Sequence, residues 1–165
     1  MKQIRLQING VWRTGWANPG QTLLDFLRNE LNCTEVKQGC GKGDCGACTV
    51  IMNGVSIDSC LTLALQAEGA KVLTAKGLGT KENPHPLQKA FVEKGAFQCG
   101  FCTPGMILSA KALLDRNPNP SREEIRRGLS GNICRCTGYR KIEEAVASAS
   151  ELPSGQSGGR EHKDQ

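Results

Sequence analysis

The sequence predicts an α+β chain in two parts, a small mixed β-sheet crossed by one helix and then a bundle of four short helices. Three observations predict this. In the first part, apolar residues alternate at period two around two Asn-Gly pairs. Beyond Pro86, apolar residues recur at helical spacing between capping signals. Between the two lies KGLGTKENPHP, from Lys76 to Pro86, whose Gly, Lys, Asn and Pro read as a junction. We therefore expect one unit over residues 1–78, a second over 79–150, and a disordered tail over 151–165 (ELPSGQSGGREHKDQ), where all periodicity is lost.

Ile4, Leu6 and Ile8 alternate with polar residues as in a half-buried strand. Asn9-Gly10 supplies a type I′ hairpin turn, and Val11 to Trp16 is the return strand. Trp12 and Trp16 share one face of it and are expected to pack in the core or on the sheet. Thr22 caps a helix whose Leu23, Leu24, Leu27 and Leu31 form an apolar stripe. Thr49 to Met52 and Val55 to Asp58 flank a second Asn-Gly turn, and a last short strand is expected at Lys71 to Thr74. Two hairpins, a crossing helix and a final strand describe a β-grasp ferredoxin arrangement. In the second part, helices are expected over Leu87 to Lys94, over Pro104 to Arg116, after the capping box Ser121 to Glu124, and around Ile142, Ala145, Val146 and Ala149.

Nine cysteines are too many for packing needs in 165 residues, so disulfides or metal must explain them. The start MKQIRLQ has no apolar run resembling a secretory signal, and no stretch is a transmembrane candidate. A cytoplasmic chain with metal-ligating thiolates is expected. A net charge of +5 with 4% aromatics lacks the basic stripe or stacking platforms of a nucleic-acid binder.

Between helix and second hairpin stands QGCGKGDCGACTV, Gln38 to Val50. It sets Cys40, Cys45 and Cys48 in a C-x4-C-x2-C array, with Cys60 twelve residues further on. That is the plant-type [2Fe–2S] spacing. A loop wrapping a cluster needs close backbone approach and left-handed angles, which Gly39, Gly41, Gly43 and Gly46 can supply. A second set follows in the helical part. Cys99 and Cys102 form C-x2-C, and Cys134 and Cys136 form C-x-C, both pairs near expected helix ends where free N–H groups favour anions. Arg135, Arg140 and Lys141 put positive charge nearby. Spacing alone leaves a second [2Fe–2S] centre and a structural Zn(Cys)4 site both open. A complete second tetrad beside an iron–sulfur loop favours iron. Cys33 belongs to neither tetrad and reads as a buried free cysteine.

Other signals fail on context. Gly41-Lys-Gly43-Asp-Cys-Gly46 is literally G-x-G-x-x-G, but a helix precedes it, a strand follows, and ligand cysteines run through it. Gly43 stands where a P-loop needs Ser or Thr. His85 and His162 fall in neither tetrad, which argues against a Rieske centre.

With both tetrads placed, residues 2–150 resemble the small iron–sulfur subunit of the xanthine dehydrogenase / aldehyde oxidase family of molybdenum hydroxylases. The resemblance rests on GCGKGDCGACTV, IDSCL, QCGFCTPGM and LSGNICRCTGY, in that order. VKQGC and IDSCL look most like bacterial purine (xanthine or hypoxanthine) dehydrogenases. The resemblance implies an electron-transfer role with no catalytic residue in this chain. Electrons would pass from molybdopterin on a large partner subunit to the cluster of Cys99, Cys102, Cys134 and Cys136, then to that of Cys40, Cys45, Cys48 and Cys60. From there they would reach FAD on a third subunit, in an (αβγ)2 assembly. It also implies that Gln98 and Cys136 lie against the pterin, and that water-derived oxygen is added to a purine, another N-heteroaromatic or an aldehyde. A free-standing ferredoxin-like carrier and a zinc-stabilised interaction module are the alternatives.

Overall fold

Two Asn-Gly turns set the geometry of the sheet. Asn9 and Gly10 have φ of 51° and 86°, and Asn53 and Gly54 have 50° and 85°, the paired positive values of type I′ turns. The first turn joins β1 (Lys2–Ile8) to β2 (Val11–Ala17), and the second joins β3 (Thr49–Met52) to β4 (Val55–Asp58), both antiparallel. β5 (Lys71–Leu73) runs parallel to β1 and antiparallel to β3, giving the order β2-β1-β5-β3-β4. The computed structural model describes residues 1–151. The expected tail therefore lies outside the described residues, except for Glu151, which caps the last helix.

Helix α1 (Leu23–Asp25) starts at Thr22, whose Oγ1 accepts the Asp25 N–H at 3.1 Å. It continues as a π-helical turn over Phe26–Glu30, in which the Leu31 N–H reaches back to the Phe26 carbonyl at 3.1 Å. The predicted stripe of Leu23, Leu24, Leu27 and Leu31 is buried against Ile4, Leu6 and Ile8. The tryptophans differ from expectation. They share a face, but it is the outward one, with Trp12 44% and Trp16 54% exposed. The opposite face has no room for a side chain at position 15, because a side-chain carbon at Gly15 would stand 2.9 Å from the Phe26 ring. Arg5 covers Trp12, its guanidinium carbon 4.6 Å from the ring centre.

The helical part consists of α2 (Pro86–Glu93), α3 (Thr103–Arg116), α4 (Arg122–Leu129) and α5 (Arg140–Ser150). Ser121 and Glu124 form the expected capping box. Leu87, Phe91, Met106, Ile125, Ile142 and Val146 fill one core. A third, smaller cluster of Ile51, Leu108 and Ala112 lies where α3 packs on the sheet. Next to it, a polar clamp joins the two parts. Asn132, 5% exposed, donates from Nδ2 to the Gly46 carbonyl at 2.9 Å, and the Ile133 N–H donates to the Cys45 carbonyl at 2.9 Å.

Asn132→Ala removes a buried hydrogen bond across the two parts, while Thr49 still donates to the Gly46 carbonyl, and should cost about 0.5–1.5 kcal/mol. A chemical-denaturation midpoint unchanged from the parent chain would contradict that expectation.

Candidate metal centres

The second hairpin brings two ligand segments together. Thr49 pairs with Asp58, so Cys48 just before β3 faces the segment just after β4. There the buried Ser59 hydroxyl donates to the Cys48 carbonyl at 2.7 Å. Free N–H groups at the start of α1 hold the far side of the same segment. Leu24 donates to the Ser59 carbonyl at 3.0 Å and Leu23 to the Thr62 carbonyl at 2.7 Å. Cys60 is thereby pinned beside Cys48, close enough for their thiols to hydrogen-bond. Cys40 and Cys45 form a second pair. The Cys45 sulfur accepts the Cys40 N–H at 3.3 Å, and the Cys40 sulfur accepts N–H groups from Lys42 and Asp44 at 3.4 and 3.3 Å. Backbone approach explains two of the glycines. A side chain on Gly39 would meet the Cys45 sulfur at 2.6 Å, and Gly46, at φ 64°, sits against Gly131 and Asn132 with no room for one.

The helical part gathers its four cysteines in the same way. Cys102 is the N-cap of α3, Cys99 lies in the turn before it, and Cys134 and Cys136 lie between α4 and α5. The Cys99 and Cys136 sulfurs are 3.6 Å apart at the surface, whereas Cys102 and Cys134 pair within hydrogen-bonding reach below. Gln98 Nε2 donates to the Cys136 carbonyl at 2.9 Å, so Gln98 and Cys136 stand together. Of the three cations expected to offset this site, Arg140 and Lys141 instead pair with Glu144, each at 3.1 Å. Cys33 is 4% exposed, away from both tetrads, with Arg13 Nη1 at 3.7 Å. His85 serves as the N-cap of α2, its Nδ1 accepting the Leu87 N–H, and His162 lies outside the described residues.

The thiols come as pairs: Cys40 with Cys45, Cys48 with Cys60, Cys99 with Cys136, and Cys102 with Cys134. Two pairs per site suit a binuclear cluster in which each iron takes two protein sulfurs. Thr103, next to Cys102, carries the single buried side-chain oxygen without a hydrogen-bond partner among the described residues, in keeping with a further polar group at this site. The residues fit two such clusters.

Comparison with known proteins agrees. Residues 6–74 match the 2Fe-2S iron-sulfur cluster binding domain and residues 74–147 the [2Fe-2S] binding domain. The chain is 52% identical over 148 residues to the nicotinate dehydrogenase small FeS subunit of Eubacterium barkeri, covering 90% of this chain and 94% of that one. It is 47% identical over 145 residues to the iron-sulfur-binding subunit of xanthine dehydrogenase from Escherichia coli O157:H7, covering 87% and 91%. The chain belongs to the small iron–sulfur subunits of the molybdenum hydroxylases. Among solved structures, this small subunit superimposes on quinoline 2-oxidoreductase from Pseudomonas putida 86 with a TM-score of 0.88. That match has 44% identity and covers 91% of this chain and 94% of that one.

The thiols differ in how readily they ionise. Backbone N–H donors, Lys42 first, hold Cys40 down at about 6. Burial pushes Cys48 up to about 11 and Cys102 up to about 12. For Cys134, burial acts upward, but the Thr137 hydroxyl and backbone N–H donors outweigh it and the thiol is lowered. Iron binds thiolates, so loading the cluster-free chain must displace protons from Cys48 and Cys102 but not from Cys40 above about pH 7. Uptake of ferrous iron by the reduced apo chain should therefore tighten from about pH 7 to about pH 9 and release protons, as a pH-stat would record. Uptake equally tight across that range would contradict this ordering.

Proposed function

We propose that this subunit carries electrons from a molybdopterin centre on a large partner subunit, through Cys99, Cys102, Cys134 and Cys136 and then Cys40, Cys45, Cys48 and Cys60, to FAD on another subunit. The observation that carries the reading is the clamp between the loops that carry the two sets of cysteine pairs. The Cys45 carbonyl is hydrogen-bonded to Ile133, the residue before Cys134, so ligand loops of the two sites are held directly against each other. Each cluster, when bound, takes up and passes on one electron at a time. The protein's task is to fix their spacing, exclude water from Cys48, Cys60, Cys102 and Cys134, and leave one edge of the second tetrad open. That edge is Cys99, Cys136 and Gln98, all exposed. It is the face expected to meet the pterin. Gln98 already spends its amide N–H on the Cys136 carbonyl, and its amide oxygen accepts nothing among the described residues.

We infer an N-heteroaromatic substrate, purine or nicotinate-like, hydroxylated on the large subunit with oxygen from water. The names of the nicotinate, xanthine and quinoline relatives support it. An (αβγ)2 assembly in the cytoplasm completes the reading, with the two parts of this chain meeting near residue 78. No described helix is long and apolar enough to cross a membrane.

Isolation of the native complex tests the partner. A large pterin-binding chain should co-purify, and turnover with purines, nicotinate and aldehydes ranks the substrates. Recovery of an active, free monomeric carrier would defeat the reading. Within the complex, Cys45→Ser should abolish flavin reduction yet leave the molybdenum centre reducible by substrate. Gln98→Ala should keep all iron while weakening pterin retention or slowing electron exit by about tenfold. Wild-type behaviour of Gln98→Ala in both respects would remove Gln98 from the electron path.

A further inference from the structure

Cys134, Thr137 and Tyr139 close a ring of hydrogen bonds that ligation alone does not require. The Cys134 N–H donates to the Tyr139 hydroxyl at 2.9 Å, and the Tyr139 N–H donates to Thr137 Oγ1 at 3.3 Å. Thr137 Oγ1 then donates to the Cys134 sulfur at 3.0 Å, and the Thr137 N–H reaches the same sulfur at 3.4 Å. The Cys134 thiol here stands for the thiolate of a loaded site. A hydroxyl has one proton. Because Oγ1 already accepts from Tyr139, its proton is directed at the sulfur.

The ring is also where the backbone is strained. Tyr139 has φ 69°, a left-handed conformation that bulky residues avoid. Such a conformation persists where its surroundings over-determine it. Here the hydroxyl is tied to Cys134 and the ring packs against the helical core. Among the described residues, Thr137 is the one non-cysteine side chain that donates to a tetrad sulfur. The donors to Cys40 and Cys45 are backbone N–H groups.

We propose that the Thr137 hydroxyl, aimed by Tyr139, tunes the cluster held by Cys99, Cys102, Cys134 and Cys136 by raising its reduction potential. This rests on the reading of Cys134 as a cluster ligand. Reduction adds one electron, breaks no bond and moves no proton, and it increases the negative charge on the sulfurs. A donor on sulfur therefore stabilises the reduced form more than the oxidised form.

The test is a potentiometric titration of the whole complex, followed by the paramagnetic signals of its two clusters. Thr137→Val should lower the reduced-to-oxidised ratio of one signal about tenfold at fixed potential, a shift of about 59 mV for one electron. The other signal should stay in place, and Thr137→Ser should restore the parent value. Thr137→Ala is measured in parallel in case the valine methyl blocks iron uptake. Val and Ala variants that titrate like the parent overturn the proposal, as does a shift that Ser shares. If Val and Ala hold no iron at this site while Ser does, the hydroxyl retains the cluster rather than tuning it, which also overturns it. Absence of iron from this tetrad in the parent complex would instead sink the ligand reading itself.

Discussion

Each tetrad is assembled from stretches of chain far apart in sequence, and the hydrogen bonds that pin those stretches are the constraint on which the structure depends. At the first site, Ser59 is fastened to Cys48 on one side and to the start of α1 on the other. That holds Cys60 beside Cys48 through backbone and Ser59 contacts, in addition to the contact between the two thiols. At the second site, Gln98 fastens to Cys136 and Tyr139 to Cys134.

The two sites are not independent. Asn132 and Ile133 join the Cys45–Gly46 stretch to the run leading into Cys134, and Gly105 at the start of α3 lies against the Gly46 carbonyl. Gly46 is thus crowded from three sides while itself left-handed. A buried amide, one backbone N–H and the packing of α3 on the sheet hold the two ligand runs together. That suits electron transfer, whose rate depends on distance, better than a flexible linker would.

Much of this was legible in sequence because the signals are local. Asn9-Gly10 and Asn53-Gly54 specify their turns by backbone preference, and Ser121 with Glu124 specifies a helix start. The cysteine spacings likewise marked out the residues that the fold brings together as pairs, Cys40 with Cys45, Cys48 with Cys60, Cys99 with Cys136 and Cys102 with Cys134. What stayed hidden depends on contacts between distant residues. The outward tryptophans follow from Phe26 packing under Gly15, and the π-turn follows from Leu31 bonding to Phe26. Spacing also left zinc and iron open at Cys99, Cys102, Cys134 and Cys136, and it is the match of residues 74–147 to the [2Fe-2S] binding domain that favours iron. Arg140 and Lys141 looked available to the cluster, yet Glu144 lies one turn along the same helix and takes both. Thr137 and Tyr139 went unnoticed as well, though the single tyrosine of the chain stands three residues after a ligand.

The central claim is that eight paired thiolates hold two binuclear iron centres. Iron, zinc and acid-labile sulfide per chain, measured on protein isolated without oxygen, test it most directly. The account predicts four iron, four sulfide and no zinc, with two distinct paramagnetic signals on reduction. Two iron with one zinc, or a single signal at full reduction, would contradict it.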